Sequence, residues 1–153
     1  MKLFYLLALL LFVIPINTFS QENEGEKEEE NKNEISVFIG ASTNSETTAF
    51  SFGIDYQFRI NKVVGVGAIV DVATEDIGSI MLGPAVFLHA SKFEFVVSPT
   101  IEFSDDDSTG VLRLGVAYEI ELSKYSISPS LNFDTERDGK ETLVYGLSFG
   151  FEF

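Results

Sequence analysis

The chain closes on LSFGFEF (Leu147, Ser148, Phe149, Gly150, Phe151, Glu152, Phe153), and the reading of this stretch decides the fold. An apolar residue stands at every second position, and the chain stops on a phenylalanine. Chain ends usually carry small or polar residues and fray. Strand side chains point alternately to two faces, so a period of two describes a β-strand with one apolar face. What that face touches is the question.

The same alternation recurs upstream. Phe50, Phe52, Ile54, Tyr56, Phe58 and Ile60 alternate with Ser51, Gly53, Asp55, Gln57 and Arg59. Phe93, Phe95, Val97, Pro99, Ile101 and Phe103 do so with Glu94, Val96, Ser98, Thr100 and Glu102. Leu112 through Leu122, Tyr125 through Phe133, and Leu143 through Phe153 repeat the pattern. Residues 35–43, 63–73 and 80–89 are weaker, β-branched segments with partly apolar residues on both faces. Together these predict eight strands of about ten residues, an all-β chain with no helix after the leader. Between them, Asn61 with Lys62, Ser91 with Lys92, and Ser123 with Lys124 read as tight turns. Residues 44–47, 74–79, 104–109 and 136–140 read as longer polar loops. An up-and-down antiparallel meander follows, and an even strand number puts both ends of the domain at the short-turn end.

Two architectures fit: a soluble ligand-binding barrel or sandwich, and a membrane barrel. They differ in which face is apolar. Here the large residues share one face, and the other holds glycine, serine, alanine and a few charges. Ten or more rings turned inward would overfill an eight-stranded barrel, whose interior just accommodates ordinary side chains. Turned outward they meet lipid, and strands of this length, tilted, match the hydrocarbon thickness. Closure also pairs every backbone group, which a bilayer demands. Phe58, Phe93, Tyr125, Phe151 and Phe153 fall at the short-turn end, and Phe50, Phe103, Phe133 and Tyr145 near the loops, as two aromatic girdles would. The expected fold is a closed eight-stranded transmembrane β-barrel.

Composition narrows the function. The chain has 153 residues, no cysteine and one histidine, which removes disulfides and thiolate metal sites and disfavours a histidine one. Acidic residues outnumber basic ones by 24 to 10, contrary to what nucleic-acid binding needs. Residues 1–20 carry Lys2, an apolar run, and Thr18 and Ser20 ahead of Gln21, the layout of a secretory signal peptide. The run is shorter than a spanning helix requires. Residues 21–34, QENEGEKEEENKNE, cannot bury apolar area and read as a disordered acidic leader before a barrel of residues 35–153.

The chain resembles the small eight-stranded outer-membrane barrels of the OmpA and OmpX kind. In that class the last strand ends in an aromatic residue read by the barrel-insertion machinery. Tyr145, Leu147, Phe149, Phe151 and Phe153 match that pattern. The resemblance implies a monomer in the outer membrane of a Gram-negative-type envelope, with outer-membrane lipids and the assembly machinery as partners and both mature termini periplasmic. It implies a structural or weakly channel-forming, porin-like role, with no cofactor and no enzymatic activity. The loops here are short, unlike those of adhesin-like members.

The expected lumen holds Arg59 and Arg113 among Asp55, Asp71, Glu94, Glu102, Glu119, Glu121, Asp134 and Glu152. These make either a selective cation path or a self-plugging ion-pair network, and the network is favoured because charges in a narrow barrel must be paired or solvated. With Phe103 opposite Leu112, Glu102 would pair with Arg113; strand parity also permits a slip of two. His89 reads as a rim residue, since no motif supplies it with a nucleophile and an orienting acid; a lipid-modifying enzyme would rest on it alone. Asp105, Asp106 and Asp107 lack the spacing of a calcium loop. Pro84, Pro99 and Pro129 fall mid-strand, where local bulges would have to absorb them. The competing reading is a secreted soluble barrel that binds a small apolar ligand.

Overall fold

The computed structural model describes residues 32–74, 78–104 and 107–153. The expected signal peptide (residues 1–20) and residues 21–31 of the expected acidic leader lie outside the described residues, as do Asp105 and Asp106. Among the described residues, nine strand segments form one sheet: β1 (Asn33–Thr43), β2 (Thr48–Arg59), β3 (Val64–Ala73), β4 (Ser79–Ala90), β5 (Phe93–Ser104), β6 (Asp107–Tyr118), β7 (Ile120–Leu122), β8 (Tyr125–Glu136) and β9 (Glu141–Glu152). Every pairing is antiparallel and next-in-line; β6 and β7 share a stave, and β1 pairs β9 to close eight staves into a barrel. The final residue completes the seam, as Phe153 and Asn33 exchange backbone hydrogen bonds of 2.9 and 3.3 Å. Both ends of the barrel domain therefore lie at the short-turn end.

The outward positions carry the large apolar residues. Phe50, Phe58, Phe103, Tyr125, Leu131 and the alternating residues of β9 all stand exposed. Phe58, Phe93, Tyr118, Tyr125 and Phe151 cluster toward the short turns, where Phe93 meets Tyr118 and Tyr125 meets Phe151 with ring centroids 5.3 Å apart. A water-soluble barrel would bury this surface, and this one displays it.

The inward face is mostly small and polar, yet it is not free of large residues. Phe38, Ile69, Met81, Phe87, Val111 and Val144 are buried in the lumen. Most come from the three segments whose alternation was weak, because there both faces carry apolar side chains. Phe38 has room only because its neighbours lack side chains. Gly40 and Gly146 face each other in register, and a Cβ on either would run into the Phe38 ring.

The prolines are accommodated without bulges. Leu82 pairs Ile101 and Val86 pairs Val97, so the β4–β5 register is unbroken while the three pairs between them are skipped. Pro84 and Pro99 stand opposite each other at the centre of that gap. Neither has an N–H, so both bonds of one ladder pair vanish and the register survives. The Ser98 hydroxyl donates to the Pro84 carbonyl at 2.6 Å, replacing the lost backbone donor. Pro129 acts the same way opposite Tyr118, interrupting the ladder between β6 and β7.

Two boundaries differ from the sequence reading. β1 begins at Asn33, so Glu34 belongs to the wall and not to the leader. Strands β5 and β6 run to Ser104 and from Asp107, leaving two residues between them where a loop over residues 104–109 was expected.

Candidate functional site: the charged lumen

Lumen charges gather into two clasps at different heights. Arg113 on β6 reaches Asp134 on β8 with two bonds of 2.7 Å, from Nε to Oδ1 and from a terminal nitrogen to Oδ2. Its other terminal nitrogen pairs with Asp71 on β3. Asp134 sits directly across the ladder from Arg113, so planar guanidinium and carboxylate meet side by side in the two-pronged geometry that favours arginine. In the stave order, β3 and β8 are four apart and therefore opposite each other, so Arg113 ties the wall together across the bore. All three side chains are at most 9% exposed.

The second clasp lies at the short-turn end. Arg59 on β2 holds Glu34 on β1 at 3.1 Å, Glu152 on β9 at 3.1 Å, and Glu119, between β6 and β7, at 3.2 Å. Staves β2 and β6/β7 are again four apart, so this contact also crosses the bore. The three carboxylates lie close enough to hold a metal ion among themselves. The Arg59 guanidinium already occupies their centre, and its charge meets the need that a cation would.

Between the clasps, Asp55 accepts a 3.4 Å hydrogen bond from Ser36, and Glu94 lies 3.5 Å from His89. His89 stands near the short-turn end of β4, but inside the lumen and not exposed at the rim. Its side chain is 8% exposed, bonded to Gln57 and flanked by Glu94 and Glu119. It points into the lumen because β4 places it at an inward position directly opposite Glu94. Two cavities of about 30 and 40 Å³ occupy this level and share Asp55, Phe87 and Glu94 in their walls. At roughly 10–15 Å³ per water centre, each has space for about two to four waters.

The Glu102–Arg113 pair does not form. Phe103 lies opposite Ser108, not Leu112, a displacement of four residues along the ladder. Glu102 consequently meets Thr109 near the loop rim, while Arg113 faces Ser98 on that side. An even displacement preserves which face each side chain takes, so Glu102 and Arg113 both point inward and never meet. The structure thus brings Arg113, Asp71 and Asp134 together, sets Arg59 with Glu119 and Glu152, and leaves Glu102 apart. Glu121 remains exposed beside the short-turn rim. The sequence reading missed Glu34, because a single acid after an acidic run carries no sign that the strand has begun. It also missed Gln57, whose polar partner lies 32 residues away.

Tyr145, Leu147, Phe149, Phe151 and Phe153, the residues expected to form an assembly signal, all face outward and stand exposed along the closing stave.

Comparison with solved structures places this geometry. The N-terminal β-barrel domain of Pseudomonas aeruginosa OprF superposes with a TM-score of 0.55 at 13% identity, covering 80% of this chain and 98% of that one. The Yersinia pestis outer membrane protein Ail, solved in a phospholipid bilayer nanodisc, gives 0.53 at 12%, covering 78% and 100%. Neisserial surface protein A gives 0.51 at 10%, covering 79% and 96%. The fold is that of the small outer-membrane β-barrels. A designed transmembrane β-barrel shares it as well, with a TM-score of 0.54 at 11% identity, covering 81% of this chain and 99% of that one. No family model matches the chain, and no curated protein sequence does. At these identities the likeness to outer-membrane barrels is one of fold, so the clasps are argued from this chain alone.

Proposed function

We propose that the protein is a non-enzymatic outer-membrane barrel whose role in the cell envelope is structural, with a lumen closed by its own charges. The observation that carries this is the pair of arginine clasps, each joining staves that face each other across the bore. A porin-like path would need the guanidinium groups held against the wall with water along the axis. Here they stand across it, and the cavities between them have room for only a few waters each. Large apolar residues on the outer wall support a lipid environment and oppose the secreted soluble barrel. Export by residues 1–20, a monomeric state, periplasmic placement of both mature termini, and insertion through the barrel-assembly machinery complete the reading.

Single-channel recording in planar bilayers tests it. The refolded protein should pass at most small ions, in rare low-amplitude events. Replacing Arg113, Asp71 and Asp134 together with Ala should raise the conductance severalfold, because the transverse tie is removed. A large, steady wild-type conductance would overturn the structural role and promote the cation path.

A further inference from the structure

We propose that the rim formed by the short turns is a docking ring for the phosphate headgroups of anionic phospholipid, an inference that rests on the membrane reading above. Its members are Lys32, which precedes β1, Lys62 in the β2–β3 link, Lys92 between β4 and β5, and Lys124 between β7 and β8. All four are exposed. One falls at every second stave, so they are spread around the whole circumference at one end of the barrel. They make up four of the five lysines among the described residues.

The turns that carry them are held in place. Arg59 N–H donates to the Lys32 carbonyl at 2.7 Å, Glu119 N–H to that of Lys92 at 2.7 Å, and Glu152 N–H to that of Lys124 at 2.9 Å. Ser91 and Ser123 take φ of 58° and 65°, which lets two residues reverse the chain and leaves the following lysine at the tip. In the longer link, the Asn61 carboxamide oxygen accepts from the Val63 and Val64 N–H groups at 2.8 Å.

Height gives the second observation. On the outer wall just inside this rim stand Phe58, Phe93, Tyr118, Tyr125, Phe151 and Phe153. Aromatic belts settle at the boundary between hydrocarbon and headgroups. Residues one turn beyond the belt therefore reach the phosphate layer, and a lysine there keeps its stem along the apolar wall and its ammonium among the headgroups.

Charge sorting is the third. The carboxylates of this end, Glu34, Glu94, Glu119, Glu121 and Glu152, all occupy inward-facing positions, and Arg59 holds three of them. The outward positions beside the lysines are uncharged: Asn33 beside Lys32, and mostly apolar residues beside the others. At the opposite rim the exposed charges are mainly acidic, with Glu46, Asp107, Asp138 and Glu141. A chain of net charge −14 has gathered its lysines where lipid phosphate would lie. The acidic residues 21–31 have complementary charge as well, but in sequence they adjoin only one of the four lysines, Lys32. A lipid leaflet surrounds the barrel and meets all four lysines alike.

The test measures lipid selectivity of the mature chain refolded in phosphatidylcholine vesicles, using spin-labelled phosphatidylglycerol and phosphatidylcholine as probes of the lipid shell. The anionic probe should associate roughly two- to fivefold more strongly at low salt and lose that advantage near 0.5 M salt. Lys92→Gln/Lys124→Gln should lower the preference, Lys92→Arg/Lys124→Arg should restore it, and Lys140→Gln at the far rim should leave it unchanged. Equal association of both probes with the inserted wild type would overturn the ring. So would an equal loss in Lys140→Gln, or a preference that emerges only once residues 21–31 are removed, which would make the leader the occupant. A chain that never inserts, recognised by unshifted gel mobility before boiling, would overturn the membrane reading and the ring with it.

Discussion

Removing the Arg113 side chain should destabilise the barrel more than any other single change to a lumen charge. Arg113→Ala deletes two 2.7 Å bonds to Asp134 and the ion pair with Asp71, and leaves two carboxylates that are 9% exposed. Breaking a buried pair by removing one partner costs about 3–5 kcal/mol, chiefly for the uncompensated charge that remains. The cavity of about 40 Å³ beside Arg113 has room for water to solvate the freed carboxylates, which places the expected loss at the lower end, about 3 kcal/mol. Glu102→Ala provides the contrast. Glu102 stands near the rim opposite Thr109, so its loss should change stability by less than about 0.5 kcal/mol. Coupling is the sharper measure. Arg113→Ala combined with Asp134→Ala should be less destabilised than the sum of the single mutants by about 1–3 kcal/mol, whereas Arg113→Ala and Glu102→Ala should add. Equilibrium urea unfolding in vesicles, followed by the gel shift between folded and boiled forms, gives all five values. Equal losses for Arg113→Ala and Glu102→Ala, or additivity of Arg113 with Asp134, would refute the clasp.

The opposed prolines give a prediction of opposite sign: Pro84→Ala restores one donor to the β4–β5 ladder and should stabilise the barrel by about 0.5–1.5 kcal/mol in the same assay. A loss of stability would show that the prolines serve the wall in some way other than tolerance. Phe153→Asp acts at the membrane interface, where an acidic residue on the lipid face costs only about 0–1 kcal/mol, so refolding in vitro should be nearly normal while assembly in cells fails. Glu152→Ala, on the inward face, should assemble normally in cells; matching yields from the two would remove Phe153 from the assembly signal. Intact mass of the mature protein in the membrane fraction should correspond to a chain beginning at Gln21, and retention of residues 1–20 would contradict export by a cleaved signal.

What was legible in the sequence was whatever depends on the parity of a strand. Side chains alternate between faces, so each residue's facing follows from its place in an alternating run, whichever neighbour the strand finds. That is why the outward set in β2, β5, β8 and β9, most of the inward charges, the barrel class and the shared end for both ends of the barrel domain could be read directly. Even the four-residue error in the β5–β6 register left every facing intact. The identities of the ion pairs were another matter. They depend on register, which was tied to the length of the link after Ser104, and on contacts across the bore, which join staves four apart in the ring and far apart in the chain. Arg113 could have found an acid on several strands. Closure of the barrel brings Asp71 to it across the bore, the ladder sets Asp134 beside it, and Glu102 is left at the rim. Glu34, Glu119 and Glu152 meet around Arg59 for the same reason. Local alternation determined which way each side chain points, and only closure of the sheet decided which of them meet.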